Sequence, residues 1–567
     1  MLKTHVIGPF VAALIVSACA PAADPAAPSA GNAHEPRSQP KVLTIGIQQE
    51  PTDFYKFGST ASGGVANVPP IAQDAMVTLN AQGRYEPLLA TESISVERGT
   101  WRVNDDGTMD TTWKIRPNVK WHDGAPFSVE DILFGLTVRR DPAIGARTYG
   151  RLDLLQSASA VDPLTLVLHW STTYAAADQA LDLDAFPKHL LEDTYISQKE
   201  SFINSPYLSS QFIGQGPYKL SEWQASSHMI FTRFDDYHQG RPPLDRVTVR
   251  FLGDQNTMVA NILSGAVDLL PGVVGVDAAV QVEQQWAGTG NQVRYDLTDS
   301  PRQVEIQFRP ETARPKDGLT NLRVRQAFYH AIDRATLVDV MTQGRGASAD
   351  SWVAPTSSLR PSLESSIPQF PYDPTRAQQL LTEAGWVRER DDNLANRGSG
   401  EWFAAELWTN PGGDEKAMSV IASNWRGVGA QVSEYVIPPA RASDREYTAL
   451  YPTALVTTNP PEVMIAGRYS SKEVRSAANR WNGQNRSGYS NPALDALLDR
   501  LTVTINPNDR ASLLREIVQV EMGDVVLMSL FWDVAPTLYV RGVKTPDTVP
   551  KYSTARAGDF FKFDRDI

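Results

Sequence analysis

Cysteine occurs once in the 567 residues, at position 19. No intrachain disulfide can form, so whatever fold this chain adopts must be held by its hydrophobic core alone. The composition meets that demand, with 42% hydrophobic residues and 13 Trp, 18 Tyr and 19 Phe. Such a content excludes general disorder. Roughly 548 residues follow the cysteine, more than one core usually serves, and two or three compact units are expected. The net charge of −12 is spread over interspersed acids and bases, without a basic stripe or polybasic cluster. Nucleic acid is not an expected partner, and anionic lipid gains no electrostatic hold.

The cysteine closes an apolar N-terminal run. Lys3 precedes Val6 to Ala18, which is almost wholly apolar, too short to span a bilayer and followed by no second hydrophobic segment. Residues 1–18 therefore read as a signal peptide. Val16-Ser17-Ala18-Cys19 resembles a bacterial lipobox, and that resemblance implies cleavage before Cys19 and lipid attachment to its thiol. The rest of the segment 19–40 is Ala/Pro-rich and aperiodic, an extended tether stiffened by proline.

The fold is expected to begin near Lys41, where Val42–Ile47 is a β-rich run. No internal repeat of solenoid or propeller period is present. Thr111 to Ile115 alternates like a half-buried strand. Ser128 reads as a helix N-cap with Asp131 three residues on and Phe127 placed to staple onto Ile132. Asn321 opens a predicted helix whose stripe runs through Val324, Ala327, Phe328, Ala331, Ile332, Ala335 and Val338. Asp373-Pro374 and Asn491-Pro492 each place a cap before a first-turn proline. Ala377, Leu380, Leu381 and Ala384 form the stripe of the first, which Gly385 closes; Leu494, Leu497, Leu498 and Leu501 form the second. Strands and helices mix without strict alternation, which points to an α/β or α+β architecture of several lobes.

These segments, in this order, resemble the family 5 extracellular solute-binding proteins of ABC importers, the group of oligopeptide-, dipeptide- and nickel-binding proteins. The matching stretches are Ile45-Gly46-Ile47-Gln48-Gln49-Glu50-Pro51-Thr52, Tyr85-Glu86-Pro87-Leu88-Leu89-Ala90, and the run from Trp113 through Trp121-His122-Asp123-Gly124 to Phe127. Further on come Gly214-Gln215-Gly216-Pro217-Tyr218, Gly265-Ala266-Val267-Asp268, Val324-Arg325-Gln326-Ala327 with Ala331-Ile332-Asp333-Arg334, and the helix starts after Tyr372 and Tyr489. The resemblance implies an α/β, periplasmic-binding-protein-like fold of type II (cluster C), with two lobes, a hinge and an extra inserted domain. It implies lobe I from residues 41–76, 210–304 and 525–567, the extra domain at 77–209, and lobe II at 305–524. The implied role is a monomeric, extracytoplasmic lipoprotein, in a periplasm or on the outer face of the cell membrane. It would pass a small solute, foremost a peptide, to ABC permease transmembrane subunits, with no cofactor, no metal and no catalysis.

Other motifs read as structure. Trp121-His122-Asp123-Gly124 invites a catalytic or metal reading, yet Asp123-Gly124 suits a tight turn with Trp121 packed beneath. Asn104-Asp105-Asp106-Gly107 lacks the remaining ligands of a calcium loop and reads as a hairpin turn. The eight histidines show no zinc-helix spacing, and there is no Gly-x-Ser-x-Gly elbow or phosphate loop.

Ligand-binding candidates follow from the same resemblance. Oligopeptide binders of the family carry an acid before an Asn-x-Pro that pairs with the peptide amine; here Thr457 stands at that place in Thr457-Thr458-Asn459-Pro460-Pro461. A buried ammonium without a counter-charge costs several kcal/mol. Either Glu50 or Glu462 supplies the charge, or the ligand has no free α-amine there. That leaves oligosaccharide, opine-like conjugate and metal chelate open as cargo. Trp352, Trp408 and Trp481 can stack on a ligand, and Tyr469 stands among them; Arg468 and Arg480 can grip an anion.

Overall fold

The computed structural model describes residues 39–55, 64–80, 84–144, 151–180, 182–357, 359–389, 391–458, 467–546 and 559–566. The expected signal peptide, Cys19 and nearly all of the expected tether lie outside them. The described part, from Pro40 on, is one compact unit.

Eleven strands build its main sheet: β1 Val42–Ile47, β2 Tyr218–Gln224, β3 His228–Arg233, β4 Arg246–Phe251, β5 Leu269–Pro271, β6 Gln292–Ile306, β7 Ala347–Ser348, β8 Ala404–Thr409, β9 Gln431–Val436, β10 Ala454–Thr458 and β11 Leu527–Tyr539. Their order is β9-β8-β10-β6-β11-β5-β1-β4-β3-β2, with β7 pairing β11 off this path. β1 runs parallel to β4, and β8 parallel to β9 and β10. The long antiparallel ladder of β6 and β11 runs from Gln292/Tyr539 to Glu305/Leu527, with irregular register between Leu297 and Pro301 and between Arg302 and Gln303. A separate four-stranded antiparallel sheet holds Trp101–Val103, Met109–Lys114, Thr165–Trp170 and Leu155–Asp162, in that order.

The helices start where local chemistry places them. α1, Val129–Arg140, has a capping box between Ser128 and Asp131. Asn321 accepts from Arg323 N, but the helix it opens, α2, ends at His330. The stripe that predicts one helix to Val338 is divided between α2, Leu322–His330, and α3, Arg334–Thr342. The cause is Asp333, whose carboxylate accepts from Thr336 N at 3.1 Å and Thr336 Oγ1 at 2.8 Å and so caps a new helix. α4, Pro374–Glu383, is capped by Asp373, and α6, Pro492–Val503, by Asn491, with α5, Glu415–Gly427, between them and α7, Pro507–Gly523, after.

Three apolar clusters carry the fold. One joins Val304, Val456 and Met528 of the sheet to α2, α3, α4 and α5. Another lies around β1, β3 and β4. The third fills the four-stranded sheet and packs it on α1; Ile505, between α6 and α7, adds to it.

The expected turns form: Gly124 N donates to Trp121 O at 2.8 Å, and Asn104 N to Thr108 O at 2.8 Å. His122 is a packing residue. Its Nδ1 accepts from Gly214 N at 3.1 Å and its Nε2 donates to Gly216 O at 3.0 Å, which fixes a neutral tautomer. A Cβ on Gly214 would meet Ala72 O at 2.0 Å, and one on Gly216 would meet Ala72 C at 2.5 Å, so Gly-Gln-Gly is required by close approach. Burial pushes the His122 pKa down to about 4. The unfolded chain then binds more protons between that value and the ordinary one, and stability rises with pH across the interval. In thermal melts the stability difference between wild type and His122→Phe should widen from pH 4 to about pH 6.5 and stay constant above it. An imidazole signal that titrates near 6.5 in NMR and is lost in His122→Phe would contradict this assignment.

Candidate functional site

Directly opposed residues of a ladder share a face. On one face of β10, β6 and β11, Val456, Val304 and Met528 enter the apolar core. On the other, Thr457 opposes Gln303, and Gln303 opposes Ser529. The next row runs Leu527, Glu305, Leu455, Trp408 and Tyr435, reaching β8 and β9. All of the polar members Thr457, Gln303, Ser529 and Glu305 are buried.

Residues after β10 cover this face. Arg468 Nη2 donates to Glu305 Oε1 at 2.6 Å, and Arg486 Nε stands 2.7 Å from Glu305 Oε2, an ion pair too poorly aligned to be a hydrogen bond. Gln303 Nε2 donates to Tyr469 OH at 3.2 Å, and Tyr469 OH to Glu305 Oε1 at 3.4 Å. Burial opposes ionisation of Glu305, but Arg468 and Arg486 outweigh it and hold its carboxyl below the usual range. Burial, with the crowding of Arg486, pushes Arg475 down to about 10.

Trp352 is packed in the cluster of Tyr469, Leu527, α6 and α7, and its Nε1 donates to Glu521 Oε2 at 2.7 Å. Among the described residues no cation acts on Glu521, and burial pushes it up to about 8. Six buried polar atoms around the face lack a hydrogen-bond partner: Gln303 Oε1, Ser529 Oγ, Arg468 Nε, Glu521 Oε1, and Glu305 Oε2 with the Arg486 Nε it faces. Buried polar atoms are rarely left so, and each such group calls for water, an ion or a ligand.

The structure thus brings Thr457, Arg468 and Tyr469 together, with Trp352 in the cluster packed over them. Trp408 lies on the same face two strands away, its ring 4.7 Å from Tyr435 and 5.2 Å from Tyr447, its Nε1 donating to Glu406 at 3.0 Å. Thr458 accepts from Arg302 Nη1, and Arg302 pairs with Asp414 at 2.8 Å and Asp533 at 3.1 Å. Glu50 accepts from Trp223 Nε1 at 2.6 Å and Ser226 N at 2.9 Å, so both carboxylate oxygens serve the hairpin of β2 and β3. Arg480 and Trp481 occupy a tight turn at φ 54° and 60°, Arg480 exposed and Trp481 half-buried. Asn459 and Glu462 lie outside the described residues. Sequence reasoning missed Gln303, Glu305, Arg486, Glu521 and Ser529. The alternation Gln303-Val304-Glu305-Ile306-Gln307 was the one signal, for Gln303 and Glu305 alone, and it reads equally as a solvated strand face.

Among the described residues no group of three or more His, Cys, Asp or Glu could hold a metal ion, and no helix is long and apolar enough to cross a membrane.

The fold is that of the periplasmic binding proteins, as expected. NikZ from Campylobacter jejuni, solved in complex with Ni(L-His), matches with a TM-score of 0.71 over 92% of this chain and 99% of its own, at 18% identity, a likeness of fold. The family model described as bacterial extracellular solute-binding proteins, family 5 Middle, matches residues 84–474, and this chain belongs to that family, the solute-binding components of ABC importers. Heme-binding protein A of Haemophilus influenzae is 25% identical over 445 residues, covering 74% of this chain and 75% of its own. Oligopeptide-binding protein AppA of Bacillus subtilis is 27% identical over 436 residues, covering 76% and 75%. The family is one of extracytoplasmic receptors rather than catalysts.

Glu521 offers a test of the site's electrostatics. Its raised pKa means that the folded state holds a proton which the unfolded chain releases above about 4.5, so stability falls from there up to about pH 8. Glu521→Gln keeps an acceptor for Trp352 and should remove that fall, stabilising the protein by on the order of 3 kcal/mol at pH 7 and leaving it unchanged near pH 4. Denaturant melts at the two pH values read the difference directly.

Proposed function

We propose that this chain is a lipid-anchored receptor that captures peptides and delivers them to an ABC permease. The observation that carries this reading is the buried polar face of β10, β6 and β11, where strand backbone, Thr457 and unpartnered side-chain atoms lie together. The likeness to an oligopeptide-binding protein supports peptide as cargo. In this reading lobe I comprises residues 41–76, 210–304 and 525–567, lobe II residues 305–524, with residues 77–209 inserted; β6 and β11 join the lobes, and the solute closes them. Solute touching both lobes gains contacts in the closed state that the open state lacks, and about 5 kcal/mol of such difference switches the population nearly fully. A second reading, with oligosaccharide, opine-like conjugate or metal chelate as cargo, is favoured by Thr457, which offers no charge to a peptide amine.

Mass spectrometry of whatever is released when the exported protein, made from Lys41 onward, is denatured decides between them. A ladder of short peptides is the expected outcome; a single non-peptide mass overturns the cargo and keeps the receptor. The anchor is tested separately. Cys19→Ser should move the protein from the membrane fraction to the soluble one, and an unchanged distribution refutes lipid attachment at Cys19.

A further inference from the structure

We propose that the segment joining α6 to α7, which carries Ile505, is a clasp by which lobe II takes hold of the inserted domain when the lobes close, so that the inserted domain takes part in solute capture. The inference rests on the receptor reading above and on its division of the chain into lobes.

The apolar cluster of the inserted domain comes first. Its members among the described residues run from Met76 to Ile213 with one exception, Ile505, which belongs to lobe II. The segment around Ile505, from Thr502 to Asp509, is mostly exposed, and Ile505 itself is half-buried. Packing on the inserted domain is what takes this side chain out of water. A backbone hydrogen bond crosses at the same place, with Ala175 N donating to Thr502 O at 3.0 Å. Thr502 stands in the last turn of α6, whose final carbonyls have no partner within the helix. Ala175 of the inserted domain supplies one from across the boundary.

Charge is matched there as well. Arg510 Nη1 donates to Leu501 O at 2.8 Å and to Thr504 O at 3.0 Å, and so holds the segment in shape. The same guanidinium acts on Asp178 of the inserted domain. Burial pushes Asp178 up and Arg510 down, and each is opposed by the charge of the other. That mutual support exists only while the two domains touch.

The contact is modest: a half-buried side chain, a hydrogen bond and a charge pair. Interfaces of this kind between domains part without unfolding either side. In the receptor reading the lobes are joined through β6 and β11, and opening there draws Ile505 out of the cluster, frees Thr502 O and separates Arg510 from Asp178. The closed state therefore gains contacts far from the solute, and they add to the difference in affinity that drives closure.

Hydrogen exchange of the exported protein tests the clasp at the Ala175 amide. The reference is the ladder between Met109–Lys114 and Thr165–Trp170, which lies within the inserted domain. Ala175 should exchange at least about tenfold faster than that ladder, because parting the clasp leaves the sheet intact. Ile505→Ala should speed Ala175 by about a further tenfold with the ladder unchanged. Asp178→Asn, a variant confined to the inserted domain, should speed it about threefold. The extract of denatured protein, added back, should slow exchange at Ala175, and Ile505→Ala should lose that material on dialysis at least about threefold faster. If Ala175 exchanges together with the ladder, the contact is permanent and the proposal falls. It also falls if the variants leave Ala175 unchanged, or speed it without altering retention of the extract. An empty wild-type protein whose Ala175 still responds to Ile505→Ala keeps the clasp and drops the capture reading; one whose Ala175 does not respond drops both.

Discussion

The ladder between β6 and β11 is the contact on which the remaining structure depends. It pairs Gln292–Glu305 with Leu527–Tyr539, segments separated by more than two hundred residues, and stands in the middle of the sheet order. On one side of it lie β5, β1, β4, β3 and β2; on the other β10, β8 and β9. The two irregularities at Leu297/Pro301 and Arg302/Gln303 fall where the ladder passes from one apolar cluster to the next. A bulge interrupts pairing and adds twist, so the strands bend most easily there.

Around this ladder two buried glutamates take opposite charge states for reasons visible in their neighbours. Glu305 meets Arg468 and Arg486 and is ionised despite complete burial. Glu521 hydrogen-bonds the indole of Trp352, meets no cation among the described residues, and keeps its proton at neutral pH. The chemistry of the two side chains is the same; the difference lies in whether a cation answers the desolvation cost.

What could be read in the sequence was what is decided locally. Ser128, Asp373 and Asn491 cap helices with atoms two or three residues away, and their spacing carries that information unaided. The Gly-Gln-Gly segment was legible as a motif, but its cause, the backbone of Ala72 and Gln73 against it, is a tertiary fact. The break at Asp333 escaped a periodicity argument because the apolar stripe continues through it. Thr457 was found through a resemblance, whereas Gln303 and Glu305, its neighbours on the face, alternate with Val304 and Ile306 as any half-solvated strand would. Only the cover supplied by Arg468, Tyr469 and Arg486 shows that this polar row is interior.

The position of β11 in the chain has a consequence for how the molecule is made. The sheet lacks one of its two central strands until residues 527–539 have been synthesised, and the pairing they complete spans most of the chain. Contacts so distant in sequence form slowly, since loop closure must precede them. Until then the clusters that take in Met528, Leu530, Phe531 and Leu538 cannot be completed, and a chain whose central sheet closes late is one that can still be threaded, extended, through a narrow pore.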